Sequence, residues 1–209
     1  GDLDVYQGTR WLRNDAGIWT SFQSSTIGGD GTATGTPDRN RLVDMDLDGD
    51  LDAVVGFAHF SGLTNDLYWF ENPTDPTLLW PVHTVAQGVA GGWSLDAADM
   101  DRDGDIDVVL GEHYGNGRVL VFENDGVGAS FTQHLVDPGG AGIDHHGGTR
   151  LVDIDRDGDL DIISIGWFND KVWLFENLGF DSTQGPPGAP TGLVGTALSD
   201  TVVWLDWDD

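Results

Sequence analysis

Three acidic runs carry the side chains best suited to chemistry. They are Asp44-Met45-Asp46-Leu47-Asp48-Gly49-Asp50-Leu51-Asp52, Asp99-Met100-Asp101-Arg102-Asp103-Gly104-Asp105-Ile106-Asp107 and Asp153-Ile154-Asp155-Arg156-Asp157-Gly158-Asp159-Leu160-Asp161. In each, aspartates at positions 1, 3 and 5 set alternate carboxylates around one point. Glycine at position 6 permits a sharp turn, and position 7 offers a backbone carbonyl. Without a counter-ion, five aspartates in nine residues repel one another strongly. A hard cation that takes six to eight oxygens relieves this, so one Ca²⁺ per loop, three in all, is the expected cofactor. Mg²⁺ suits the loops less well, because it demands stricter octahedral geometry and keeps its waters.

These features are shared with EF-hand loops, but the position-12 glutamate of that motif is not used. Position 9 is aspartate, and the chain continues as a strand. The loops start at residues 44, 99 and 153, spaced 55 and then 54 residues apart, and Gly1-Asp2-Leu3-Asp4 matches Gly49 to Asp52 as a fourth, partial copy. Each loop runs into an apolar stretch: Ala53 to Gly56, Val108 to Gly111, and Ile162 to Gly166. An aromatic strand follows, ending at Glu71-Asn72, Glu123-Asn124 and Glu176-Asn177, with Trp11 to Asn14 as a looser copy. A further strand comes at Trp80 to His83 and Phe131 to His134, with Trp19 to Phe22 as its first copy. With the strand that enters each loop, this makes four short strands per unit, and no stretch keeps a helical period.

Four strands at this period mark a propeller blade. The expected fold class is therefore all-β, a β-propeller of four-stranded antiparallel blades with cation-binding loops. Two blades are full (37–91 and 92–146) and two partial (1–36 and 147–183). An incomplete set implies a longer polypeptide, or a homo-oligomer or filament that completes the ring. Residues 184–190 read as a Pro/Gly linker. In 191–209, Leu193, Ala197, Val202, Trp204 and Trp207 lie in two β-like runs that resemble the opening strands of a fibronectin type III domain.

Composition narrows the partners. The 209 residues carry 36 Asp+Glu against nine Lys+Arg, a formal charge of −27. Phosphate repels such a chain, so neither nucleic acid nor an anionic membrane surface is an expected partner. No apolar run is long enough for membrane insertion as a helix. Hydrophobic content of 39% with nine Trp argues for a packed core, and 31 Gly suit many tight turns. Cysteine is absent, so metal rather than sulfur is the expected staple. Millimolar Ca²⁺ is found outside cells, which makes an extracellular or cell-surface location the expectation. No signal peptide is visible, and because the chain starts within a repeat, any leader is expected upstream.

The pattern Asp-x-Asp-x-Asp-Gly-x-x-Asp at blade spacing resembles the FG-GAP/VCBS-type repeat of integrin-like propellers and propeller lectins, over about residues 1–180. The resemblance implies that the ion staples the first two strands of each blade. It implies as ligands Asp44, Asp46, Asp48 and Asp52 with the Asp50 carbonyl, and their equivalents in the loops at 99–107 and 153–161. Three such ions would leave the chain at about −21, still strongly acidic.

Fold does not give function, and the residues that break the repeat are the more informative ones. Before the strand that enters each loop lie Asp38-Arg39-Asn40, Gly92-Trp93-Ser94 and Asp144-His145-His146. After the following strand lie Phe57-Ala58-His59, Glu112-His113-Tyr114 and Trp167-Phe168-Asn169. Both sets fall at strand ends away from the acidic loops and are expected on one rim. Aromatic rings beside polar groups suit sugars, so Trp93, Glu112, His113, Tyr114, His145, His146 and Trp167 are the candidate ligand-binding residues. Alternatively, Trp93 and Trp167 fill gaps between blades, and the histidines with Glu112 form a transition-metal or acid–base set. The first functional expectation is a secreted carbohydrate-binding or adhesive module whose partners are glycans or extracellular proteins. The second is a structural subunit of a surface or fibrous assembly. The third is a polysaccharide lyase or hydrolase, and since no catalytic motif is visible, the chain is not expected to be an enzyme.

Overall fold

The structure, a computed structural model, describes residues 2–25, 36–58, 65–115, 117–168, 171–178, 193–199 and 202–207. The 184–190 linker, His59 and Asn169 lie outside them. The described residues are all-β and fall into four sheets. The first is β1 (Val5–Gln7), β2 (Arg10–Asp15) and β3 (Ile18–Gln23). The second is β4 (Thr36–Val43), β5 (Asp52–Ala58), β6 (Asn65–Phe70) and β7 (Val82–Val89). The third is β8 (Ser94–Ala98), β9 (Asp107–Gly111), β10 (Val119–Asn124) and β11 (Phe131–Asp137). All three are antiparallel meanders.

The fourth sheet starts the same way, with β12 (Gly148–Val152), β13 (Asp161–Ile165) and β14 (Val172–Asn177). Its remaining strands come from the C-terminal run, residues 193–207. There β15 (Leu193–Ser199) and β16 (Val202–Trp207) form an antiparallel hairpin, and β16 lies beside β14 in parallel.

Alternation along the strands explains how the sheets stack. Successive side chains point to opposite faces. Ala53, Val55, Phe57, Tyr68 and Phe70 pack toward Tyr6 of the first sheet, whereas Val54, Leu67 and Trp69 pack toward the third. In the third sheet, Val108, Leu110, Leu120 and Phe122 meet the second. Its Val109, Val119 and Val121 meet Ile162, Trp173 and Phe175 of the fourth. A sheet covered on both faces needs near-continuous apolar strands, and that is how β5, β9 and β10 read. Two glycines mark close approaches. A Cβ on Gly56 would lie 2.2 Å from Gly92 O, and one on Gly111 would lie 2.3 Å from Thr149 Oγ1. One carboxylate ties three sheets: buried Asp96 on β8 accepts hydrogen bonds from Arg41 on β4 and from the Leu151 N–H on β12 (3.1 Å).

Candidate metal loops and an aromatic rim

The three acidic loops join β4 to β5, β8 to β9 and β12 to β13, and they adopt one conformation. Glycine at position 6 has φ near +103°, +102° and +105° at Gly49, Gly104 and Gly158. Position 4 is also left-handed, at +62°, +67° and +68° for Leu47, Arg102 and Arg156. No feature of the sequence marks position 4, because Leu and Arg seldom adopt this conformation. The N–H of position 5 donates to the position-3 carboxylate in every loop: Asp48 to Asp46 (3.2 Å), Asp103 to Asp101 (3.1 Å) and Asp157 to Asp155 (3.1 Å).

Carboxylate oxygens gather in each loop. Those of Asp44, Asp46 and Asp48 lie within 4.8 Å of one another, as do those of Asp99, Asp101 and Asp107, and of Asp153, Asp155 and Asp161. Asp44 Oδ1, Asp50 Oδ1, Asp99 Oδ1 and Asp101 Oδ2 are buried and accept no hydrogen bond. Such atoms are costly unless something fills the space between them. The all-oxygen donor set fits a hard divalent cation. Burial, and behind it the neighbouring carboxylates, pushes Asp52 and Asp101 up to about 6 and Asp107 up to about 8. Asp46, Asp50, Asp99 and Asp161 are raised for the same reasons.

Position 9 does a second job. Asp52 accepts the N–H of Met45 (2.9 Å) on one oxygen and that of Asn72 (2.7 Å) on the other. Asp107 does the same with Met100 and Asn124, and Asp161 with Ile154 and Asn177. These carboxylates clamp each loop to the end of the aromatic strand. The recurring Glu-Asn of that strand is the signal that could have revealed the clamp. Its glutamates complete a polar flank: His83 bonds Glu71 (2.8 Å) and His134 bonds Glu123 (2.6 Å).

At the opposite strand ends the structure brings Trp93, His113, Tyr114, His146 and Trp167 together, with Phe168 added. Trp93 stacks on His113 (ring centroids 4.6 Å) and meets His146 edge-on (4.2 Å). His113 lies 4.3 Å from both Tyr114 and His146 and stacks on Phe168 at 5.3 Å. His146 neighbours Trp167 at 5.5 Å. Trp93 and His113 are buried, whereas Trp167 and Phe168 expose 65% and 73% of their surface. Asp144, itself 2% exposed, holds that pair by accepting the N–H groups of Trp167 (2.8 Å) and Phe168 (3.0 Å). Burial alone would raise the Asp144 carboxyl. The backbone donors Trp167, Phe168 and His146, with His113 nearby, outweigh it and hold the group below its ordinary range. Burial lowers both His113 and His146, so the pair favours its neutral form.

Two of the candidate ligand-binding residues sit apart from this cluster. Glu112 is fully buried and ion-paired with Arg118 (2.7 and 2.5 Å), and it also accepts the Ala90 N–H. His145 is fully buried, bonded to Ser164 (2.8 Å) and packed on Trp173. Both brace the rim from inside.

The FG-GAP-like repeat family model matches the chain twice, over residues 44–110 and 99–164. Together the two matches span more than half of the sequence. No curated protein matches the chain.

Proposed function

The chain belongs to the FG-GAP-like repeat family, and from that premise we propose that it is an extracellular, calcium-stabilised β-propeller module that binds carbohydrate on the rim around Trp167. The observation that carries the reading is the pair Trp167 and Phe168. Large apolar rings left in water usually lie folded against the surface or move freely. Here buried Asp144 fixes the backbone of both, and the rings lie against His146 and His113 with their outer surfaces exposed. Rings of this kind cover the apolar CH faces of a sugar. His146 Nδ1, buried beside them with no hydrogen-bond partner, suits a sugar hydroxyl. The role is binding without turnover.

The aspartates of the three loops would hold Ca²⁺, through Asp44, Asp46, Asp48, Asp50 and Asp52 in the first loop, Asp99, Asp101, Asp103, Asp105 and Asp107 in the second, and Asp153, Asp155, Asp157, Asp159 and Asp161 in the third. The ion supplies charge neutralisation, and its binding energy becomes folding energy. The supply of millimolar Ca²⁺ outside cells supports the location.

A glycan array in millimolar Ca²⁺ tests the reading, with Trp167→Ala and Phe168→Ala as comparison proteins. Specific binding that drops at least tenfold in either variant supports it. Binding that survives both substitutions, or a blank array from folded protein, refutes it.

A further inference from the structure

Position 4 breaks the likeness of the acidic loops. It is Leu47 in the first, Arg102 in the second and Arg156 in the third, always with a left-handed backbone. Leu47 and Arg156 are exposed, whereas Arg102 is half-buried.

The third loop accounts for that burial. A Cβ on Gly158, its position 6, would lie 2.9 Å from Arg102 Nη2 and 3.9 Å from Arg102 Cζ. The guanidinium of the second loop therefore sits against the turn of the third, across the seam between the third and fourth sheets. The preceding seam is different, because a Cβ on Gly104 would meet nothing within 4 Å and Leu47 does not reach it. The next residue of the third loop, Asp159, is 2% exposed, while its equivalents Asp50 and Asp105 are only partly buried. The second loop anchors the base of the side chain, since the N–H of Asp103 is bonded to Asp101 (3.1 Å) on either side of Arg102.

A positive charge at this place acts in two opposite ways. It offsets the mutual repulsion of Asp153, Asp155, Asp157, Asp159 and Asp161, and it repels a divalent cation held by the same carboxylates. We propose that Arg102 is a built-in counter-ion of the third loop, one that keeps the loop in shape without a metal and weakens its hold on Ca²⁺. The first half stands on the contact alone, and the second rests on the calcium reading above. The first loop, with no arginine at its position 4, delivers no such charge to the second.

Amide hydrogen exchange on the whole chain tests this, because it reads each loop separately, in chelator and across a Ca²⁺ titration. Arg102→Leu is the main variant, since Leu47 already holds the same position at φ +62°. In chelator its amides at 153–161 should exchange about threefold faster than in the unaltered chain, the scale of a surface charge pair, with 44–52 unchanged. In the titration, the Ca²⁺ concentration that half-protects 153–161 should fall about fivefold, the order expected for a unit charge facing a divalent ion across a solvated loop. The shift at 99–107 should be smaller. Arg102→Lys keeps the charge and should stay close to the unaltered chain. Arg13→Leu makes the same change of net charge on the first sheet and should alter neither reading. Unchanged exchange in chelator, an equal or higher half-protection concentration at 153–161, or a larger shift at 99–107 overturns the proposal. If Ca²⁺ protects none of the loops, the calcium reading falls and takes the second half of the proposal with it, while the chelator measurement still decides the first.

Discussion

Stripping divalent cations from this chain should reverse the usual effect of acid. Asp107 is 2% exposed, and burial pushes it up to about 8. Between roughly pH 4 and pH 8 the folded, cation-free chain therefore holds a proton that the unfolded chain has released. The folded state binds more protons, so stability falls as pH rises through this window. From pH 5 to pH 8 the loss from Asp107 is on the order of 4 kcal/mol, at about 1.4 kcal/mol per pH unit. Asp52 and Asp101, pushed up to about 6, add about 1 kcal/mol apiece and level off beyond that. Calcium held at the proposed sites would reverse the slope, because it needs the deprotonated oxygens. Each site so occupied would add about 2.7 kcal/mol when free ion is 100-fold above its Kd. The assay is urea unfolding from pH 5 to pH 8, in chelator and in millimolar Ca²⁺. In chelator, stability should drop as pH rises. With Ca²⁺ the difference between the two conditions should widen toward pH 8. Relief of the −27 net charge acts in the same direction in acid, so Asp107→Asn separates the two: its chelator curve should flatten between pH 6.5 and pH 8. A curve that rises with pH in chelator, or an unchanged slope in the variant, would refute the desolvated-carboxylate argument.

Other substitutions probe the packing and the rim. Gly111→Ala drives a methyl to within 2.3 Å of Thr149 Oγ1 and 2.7 Å of His145 Cβ. It should cost about 1–3 kcal/mol in urea unfolding by overpacking. Asp96→Ala leaves the Leu151 N–H without its acceptor at the junction of three sheets, and should cost about 1–3 kcal/mol by the same measurement. Asp144→Ala frees the backbone at Trp167 and Phe168, so their amides should exchange faster with solvent, while the melting temperature falls by only a few degrees. Asn124→Ala keeps the main-chain N–H that meets Asp107 but removes the side-chain acceptor for the Gly126 and Gly128 N–H groups (3.2 and 3.0 Å). A loss of about 1 kcal/mol is expected.

Strand order and the acidic loops were legible because both repeat. Gly49, Gly104 and Gly158 declare their turns by residue type alone, and the unbroken apolar run from Ala53 to Phe57 declares a strand buried on both sides. Trp69 and Trp80 are interior residues. Trp19 occupies the same repeat position as Trp80 yet is 52% exposed, since what covers a residue depends on the neighbouring sheet rather than on the residue. The rim was half legible. Breaks in the repeat located Trp93, His113, His146 and Trp167, but Glu112 and His145 face inward. Single residues at strand ends carry no periodicity to tell in from out. Asp144 was visible only as a neighbour of the histidines, because its partners, the N–H groups of Trp167 and Phe168, are invisible in a sequence of side chains.

Position 2 of the acidic loops shows what the stacking rule implies for the chain's history. Met45 and Met100 are sealed because another sheet follows, while Ile154, at the same position, is 44% exposed. Each unit thus presents one surface that receives its predecessor and another that receives its successor, and the two fit each other. A gene segment encoding one such unit can be copied or deleted in frame, and the new junction will resemble the old ones. Growth by whole units leaves every existing seam intact. Apart from the Asp96 junction, where three sheets meet, a mutation in one seam falls on the two sheets that form it, so individual units can diverge at their rims while the shared framework keeps them together.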